Sequence, residues 1–285
     1  MKKRKLTVGQ LGIYVVLSLW ALTTIYPIFW IIINSFKAKN EILANSFSLP
    51  LGELFTLSNY RTAFERLNIF SAYRNSLVIS CTVAVVVVIV AGLASFALVR
   101  YQFRGKKIVN AMIIAGMMFP VFSTIIPVFR MLNIAHIANT NNLWLSLLSV
   151  ALPQIAGNLS FAIVVLSGYI RSLPIELEEA AYLDGCNAFQ IFFKVVMPLT
   201  KPSFATVAIF SFLWSYNDLF TQMFLLRLPE QRAITRLLNE LTAMEGTNYG
   251  LMAAAVALVV IPVIIVYIIL QKHIIRGMTA GAVKG

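Results

Sequence analysis

The sequence predicts an all-α integral membrane protein with six transmembrane helices. Three observations predict it. The 285-residue chain is 59% hydrophobic and only 12% charged, about half the charged share of a soluble domain. Its apolar residues gather in six runs: Leu11–Ile33, Ser76–Val99, Ile108–Phe129, Leu143–Leu166, Ser203–Leu226 and Met252–Leu270. Each is long enough to cross a bilayer core as a helix. The positive charge lies between the runs and is densest in Arg100–Lys107. A β-barrel would need short alternating segments, and none is evident.

The first run follows Lys2-Lys3-Arg4-Lys5, a flank that suits a signal peptide. The run is too long for one and no small-residue cleavage site follows, so it reads as a retained anchor. Asn34–Asn75 is a long mixed-charge connection to the second run. The third run carries Pro120 and Pro127, the fourth Pro153 and the sixth Pro262. Membrane helices tolerate such prolines as kinks, and a gating role is the other reading. Arg130–Asn142 joins the third and fourth runs, Ser167–Pro202 the fourth and fifth, and Arg227–Gly250 the last two. Asp218, in the fifth run, is the one charged residue within a predicted span. Such a group should face the bundle or a water-filled cavity rather than lipid.

Six spans put both termini on one side. If that side is the cytoplasm, fourteen of the twenty-three Lys and Arg residues lie inside, the bias that the positive-inside rule expects of short loops. The net charge of +12 therefore reads as membrane orientation. No basic patch interleaved with aromatics points to nucleic acid. Cys81 falls in a span and Cys186 in a connecting segment, so no disulfide framework is expected. His136 and His273 are far apart and lack ligand partners, so no metal site is expected either. There is no phosphate-binding loop of the G-x-x-x-x-G-K-[ST] kind, and no ATP hydrolysis by that route.

Within Ser167–Pro202 sits an acidic island: Glu176, Glu178, Glu179 and Asp184. Pro174 is placed to open a helix. On it, Leu177, Ala181 and Gly185 share one face with Ala180 beside them, while Glu178 and Tyr182 turn elsewhere. A face of Ala and Gly admits close approach. Helices that rest on the inner leaflet are usually basic; an acidic one points to a protein partner.

The run Glu179-Ala180-Ala181, three residues, Gly185, nine residues, Val195-Val196-Met197-Pro198 resembles the EAA loop of bacterial ABC importer permeases, whose pattern is EAA, three residues, G, nine residues, I-x-L-P. Val195 and Met197 are conservative departures. Further matching stretches span nearly the whole chain. They include Tyr26–Trp30, Ser35-Phe36-Lys37, Asn59-Tyr60, Asn75-Ser76-Leu77, Tyr101–Lys106, Arg171–Pro174, Trp214–Asp218 and Arg276–Gly285. In order and spacing they are similar to the carbohydrate-uptake, maltose-type branch, on the side of the smaller of its two permease subunits.

The resemblance implies a type I ABC importer permease fold with a cytoplasmic coupling helix, set in the bacterial inner membrane. Residues 1–72 would hold the cytoplasmic N-terminus, first span and long outer loop. Residues 73–270 would form the permease core, with the EAA loop at 176–202, and 271–285 a cytoplasmic tail. The implied partners are a second permease in a heterodimer, two ATPase subunits that hold ATP and Mg, an extracytoplasmic sugar-binding protein, and membrane lipid. The chain itself would be no enzyme and hold no cofactor. Glu179, Ala180, Ala181, Asp184, Gly185 and Pro198 would couple to the ATPase, with Pro198 and Pro202 forming an elbow into the fifth span. Gln154 and Asn158 share a face of the fourth span, and Trp214, Asn217 and Asp218 cluster in the fifth. They are either helix-packing groups or the lining of a sugar path. Arg232, Arg236, Asn239, Glu240 and Glu245 are candidates for binding-protein contact. A secondary transporter or channel subunit working without an ATPase is the alternative. It would need no acidic docking helix, and an ion-coupled one would carry more mid-membrane charge.

Overall fold

A computed structural model describes residues 8–66, 68–244 and 248–282. Among them there is no strand. The helices are α1 (Val8–Ser35), α2 (Lys39–Ala44), α3 (Ser58–Arg66), α4 (Ile69–Arg100), α5 (Lys106–Gly116), α6 (Val121–Ile134), α7 (Leu143–Arg171), α8 (Glu176–Leu183), α9 (Ala188–Ile191), α10 (Met197–Leu199), α11 (Lys201–Asn217), α12 (Phe220–Leu225), α13 (Ile234–Met244) and α14 (Tyr249–Ala282). Four stretches are long and apolar enough to cross a membrane: Gly9–Ser35, Ile69–Arg100, Leu143–Arg171 and Tyr249–Ile268. A fifth span results if Ala188–Leu199 and Lys201–Asn217, bent by 85°, are taken together.

Two of the six expected spans are therefore not continuous helices. Ile108–Phe129 breaks between α5 and α6. Pro120 sits in an extended conformation ahead of α6, offers no N–H, and disfavours helix at the residue before it. Ser203–Leu226 breaks at Asp218, where the backbone turns extended. The Asp218 carboxylate takes the Thr221 N–H at 3.0 Å, supplying a cap where the helical ladder stops. Asp218 thus lies at a helix end and not within a helix. The prolines of α1, α7 and α14 stay inside their helices.

The chain divides into two compact units. The first takes the chain up to Asn68 together with Leu238–Pro262; the second takes Ile69–Leu237 and the chain from Val263. In the first, a polar knot follows α1. Asn59 donates to the Ser35 and Lys37 carbonyls at 2.9 and 2.8 Å. Ser35 and Tyr60 share a 2.7 Å bond between hydroxyls. Lys37 is fully buried, its ammonium donating to the Asn45 carbonyl and Ser48 Oγ. Burial lowers its pKa, with the Glu41 carboxylate opposing. A Cβ on Gly250 would stand 2.5 Å from the Lys37 carbonyl, so the start of α14 approaches this knot only as glycine. Ser35, Lys37, Asn59 and Tyr60 come from the stretches that carried the family resemblance.

The second unit is built on α4, α7 and α11. Ile79, Val83, Val87 and Ala91 of α4 recur at helical spacing and pack with Val150, Ala162 and Leu166 of α7 and with Phe204 and Val207 of α11. Small residues let the backbones close up. Ser95 Oγ reaches the Ile163 carbonyl at 3.0 Å, the interhelical bonding expected where lipid gives no hydrophobic drive. A Cβ on Gly92 would meet Phe204 and Phe192 within 3 Å. Phe192, almost fully buried, sits in a π-helical turn over Phe192–Val196 and wedges the segment before α11 against α4.

Candidate functional site

Two places in the second unit gather chemistry. The first is a cavity of about 520 Å³ lined by α5, α6, α7, α11 and α12. Gln154, Asn158, Trp214 and Asp218, four of the five sequence candidates for a substrate path, line it. The fifth, Asn217, is exposed and does not. The polar groups form one chain. Gln154 Nε2 donates to Asp218 Oδ2 at 2.7 Å, and Ser215 Oγ donates to Gln154 Oε1 at 2.6 Å. Asn158 Nδ2 donates to the Gln154 carbonyl at 2.7 Å. That bond fixes the amide, because a flipped side chain would set oxygen against oxygen. Asn158 Oδ1 is then buried without a hydrogen-bond partner. Trp214 presents a half-exposed ring that packs on Phe161 at 5.0 Å and Phe210 at 6.0 Å between centroids. Helix packing and cavity lining thus coincide: the Gln154–Asp218 bond ties α7 to the α11–α12 break and borders open space.

The second place is the segment from α8 to α11. Gly185 takes φ +84°. Cys186 N–H bonds the Ala181 carbonyl and Gly185 N–H the Tyr182 carbonyl, both at 3.0 Å. This is a Schellman ending with Gly185 at its left-handed position. The glycine of the EAA pattern is thus required by the chain's own backbone. Asn187 and Gln190 close a reciprocal cap on α9, and the chain then bends by 85° around Thr200. The expected elbow is there, with Pro198 and Pro202 on either side of the bend.

The face of α8 differs from the one that residue spacing predicts. Ala181 turns inward and is buried, as is Glu178. Glu179, Ala180, Asp184, Gly185 and Pro198 are exposed. Around them Leu183 is 86% exposed, Tyr182 70% and Phe189 67%. The inward turn of Glu178 has a partner that the sequence reading missed. Arg100, the last residue of α4, pairs with Glu178, its Nε donating to Oε1 at 2.8 Å. Its Nη2 donates to the Ile170 and Leu173 carbonyls at the end of α7, at 2.9 and 3.2 Å. One guanidinium therefore locks α8 to the ends of the two longest helices of this unit.

Arg227–Gly250, read as a loop, contains α13. Ile234, Leu237 and Leu241 are its buried stripe. Arg232, Arg236, Asn239 and Glu240 are half-buried, and Glu245 lies outside the described residues. The approach to α13 is pinned from α4. Asn75 donates to the Glu230 and Arg232 carbonyls, and Ser76 Oγ accepts the Ile234 N–H at 2.8 Å. Among the described residues, no cluster of His, Cys, Asp and Glu suits a metal ion.

A multi-pass helical fold with a largely apolar cavity edged by a few polar groups, and an exposed helix clamped to the helix ends, points to a membrane transport subunit. Residues 88–280 match the family described as "Binding-protein-dependent transport system inner membrane component", and the chain belongs to that family. It is 30% identical over 274 residues to the diacetylchitobiose uptake system permease protein NgcG of Streptomyces coelicolor, covering 95% of this chain and 88% of that protein. It is likewise 30% identical to the galactooligosaccharides transport system permease protein GanQ of Bacillus subtilis, covering 95% and 94%. Among solved structures, it is similar to a chain of a bacterial ABC transporter involved in the import of the acidic polysaccharide alginate. The TM-score is 0.77 at 25% identity, over 95% of this chain and 98% of that one. These likenesses put the chain in the carbohydrate-uptake branch of ABC importer permeases.

Proposed function

We propose that this chain is one of two permease subunits of an ATP-driven importer that moves a sugar or oligosaccharide into a bacterial cell across its inner membrane. Six passages cross the bilayer, the third and fifth as broken helices, with both termini in the cytoplasm. The two breaks border the cavity, and irregular backbone at membrane depth is tolerated where it lines a cavity. Gln154, Asn158, Trp214 and Asp218 lie on the sugar path, and a second permease closes the cavity's open side. ATP and Mg reside in two partner ATPases, and an external sugar-binding protein meets the segment around α13.

The observation that carries this reading is α8. It is a short, acidic helix that exposes Tyr182 and Leu183 while Arg100 locks its base to α4 and α7. A rigid tie is what a docking helix needs to pass motion into the membrane: an ATPase that closes on α8 moves α4 and α7 with it. A partner with two states thereby biases a permease with two states. Purification with its partners and reconstitution into vesicles tests the reading. ATP-dependent sugar uptake that needs the binding protein is expected. Uptake that is driven by a proton or sodium gradient and indifferent to ATP would favour the secondary-transporter alternative.

A further inference from the structure

We infer that the cavity around Asp218 selects its ligand by charge: it takes neutral, hydroxyl-bearing saccharides and turns uronates away. The inference rests on the proposed sugar path and adds its substrate class. Among the described residues that line the cavity, none is Lys, Arg or His, and Asp218 is the one with an ionisable side chain. Two acceptors here have capacity to spare. Asn158 Oδ1, on a residue about nine-tenths buried, accepts nothing. Asp218 accepts one bond at each carboxylate oxygen, from Gln154 and Thr221, and each oxygen has room for another. The donors nearby are uncharged: Ser215 Oγ and one N–H of Gln154 are engaged, and the Gln154 and Asn158 amides each keep a second N–H.

A ligand that donates hydrogen bonds to Asn158 Oδ1 and Asp218 suits this arrangement, and sugar hydroxyls do so. The half-exposed Trp214 ring offers an apolar face for the carbon side of a pyranose. A uronate brings acceptors and a negative charge to a site that lacks a cation and already holds a carboxylate. In a cleft with low-dielectric walls that repulsion is focused rather than screened. The similar alginate importer carries an acidic polysaccharide; this cavity is built for a neutral one.

Gly157 lines the cavity, and a Cβ there meets nothing within 4 Å, so Gly157→Cys places a thiol inside it. The test uses the assembled importer with Cys81→Ser and Cys186→Ser. Methanethiosulfonates bearing trimethylammonium or sulfonate react with that thiol, and modification is followed on its own peptide by mass spectrometry. Relative to free cysteine, the cationic reagent should gain about tenfold or more over the anionic one, and Asp218→Asn should erase most of that gain. Maltotriose and galactotriose should slow the cationic reagent; trigalacturonate should not. A rate ratio equal to that of free cysteine, or shifted toward the anionic reagent, overturns the inference, whatever the Asp218 variant does. So does protection by trigalacturonate alone, or by none of the three sugars. Uptake by the same preparation reads the importer assignment separately. ATP-driven uptake with no charge preference at position 157 removes this inference and leaves the importer standing. No ATP-driven uptake removes the assignment on which the inference rests.

Discussion

Gly185 shows how one residue's backbone decides what can replace it. Its φ of +84° costs an L-residue roughly 1–2 kcal/mol, while asparagine visits that region more readily than other residues. Gly185→Asn is therefore expected to retain more sugar-stimulated ATPase activity than Gly185→Ala or Gly185→Val at equal expression. If alanine proves the best replacement, space against a partner governs the position instead. Gly185→Asp should uncouple ATPase activity from uptake, because charge joins the backbone strain beside Asp184. Normal uptake by that variant would remove α8 from the coupling role. Asp218 is the second such residue. The sequence marked it as an isolated charge, and its neighbours show that it both caps the α12 turn and holds Gln154. Asp218→Asn keeps the shape, so assembly with the partner permease should persist while uptake falls, as measured by pull-down and by flux. Failed assembly would show that its work is packing alone.

At the scale of elements, the Arg100–Glu178 pair ties α8 to the ends of α4 and α7. Both side chains are almost wholly buried, so removing one partner strands the other charge at a cost of about 3–5 kcal/mol. Arg100→Gln and Glu178→Gln should each lower the thermal unfolding midpoint of the purified complex and its stimulated ATPase activity. The double variant should lose less than the two single losses added together. Additive losses would mean the two residues act separately. The α4 residues Asn75 and Ser76 do comparable work at the other end of that helix, holding the chain into α13 by bonds to Glu230, Arg232 and Ile234. Asn75→Ala is expected to speed hydrogen exchange in the segment around Glu230 and leave α8 unchanged. Equal acceleration at both ends would indicate a general loosening of α4.

For the whole molecule, the proposed topology separates two exposed positions that single-cysteine labelling reads directly. Leu183 is 86% exposed and Phe47 72%. With Cys81 and Cys186 replaced, Phe47→Cys should react with an impermeant maleimide on intact spheroplasts. Leu183→Cys should react only after the membrane is opened. Labelling of position 183 from outside would reverse the orientation and with it the docking assignment of α8.

Membrane class, the long spans and the basic connection after α4 were legible in the sequence, because hydropathy and charge sum over neighbouring residues and need no knowledge of the fold. The EAA pattern was equally local. So was the helical spacing that put Gln154 and Asn158 on one face, and the prolines marked the elbow near Thr200. Tertiary structure decided what depends on residues distant in sequence. Gln154 meets Asp218 across 64 positions, Ser215 meets Gln154 across 61, and Arg100 meets Glu178 across 78. Nothing in a local window distinguishes Ser215 or Glu178 from a solvated polar residue. The breaks at Met117–Pro120 and Asp218 were hidden for a related reason. An apolar window registers greasiness and not continuity, and a helix ends where capping bonds and neighbouring helices make ending cheaper than going on.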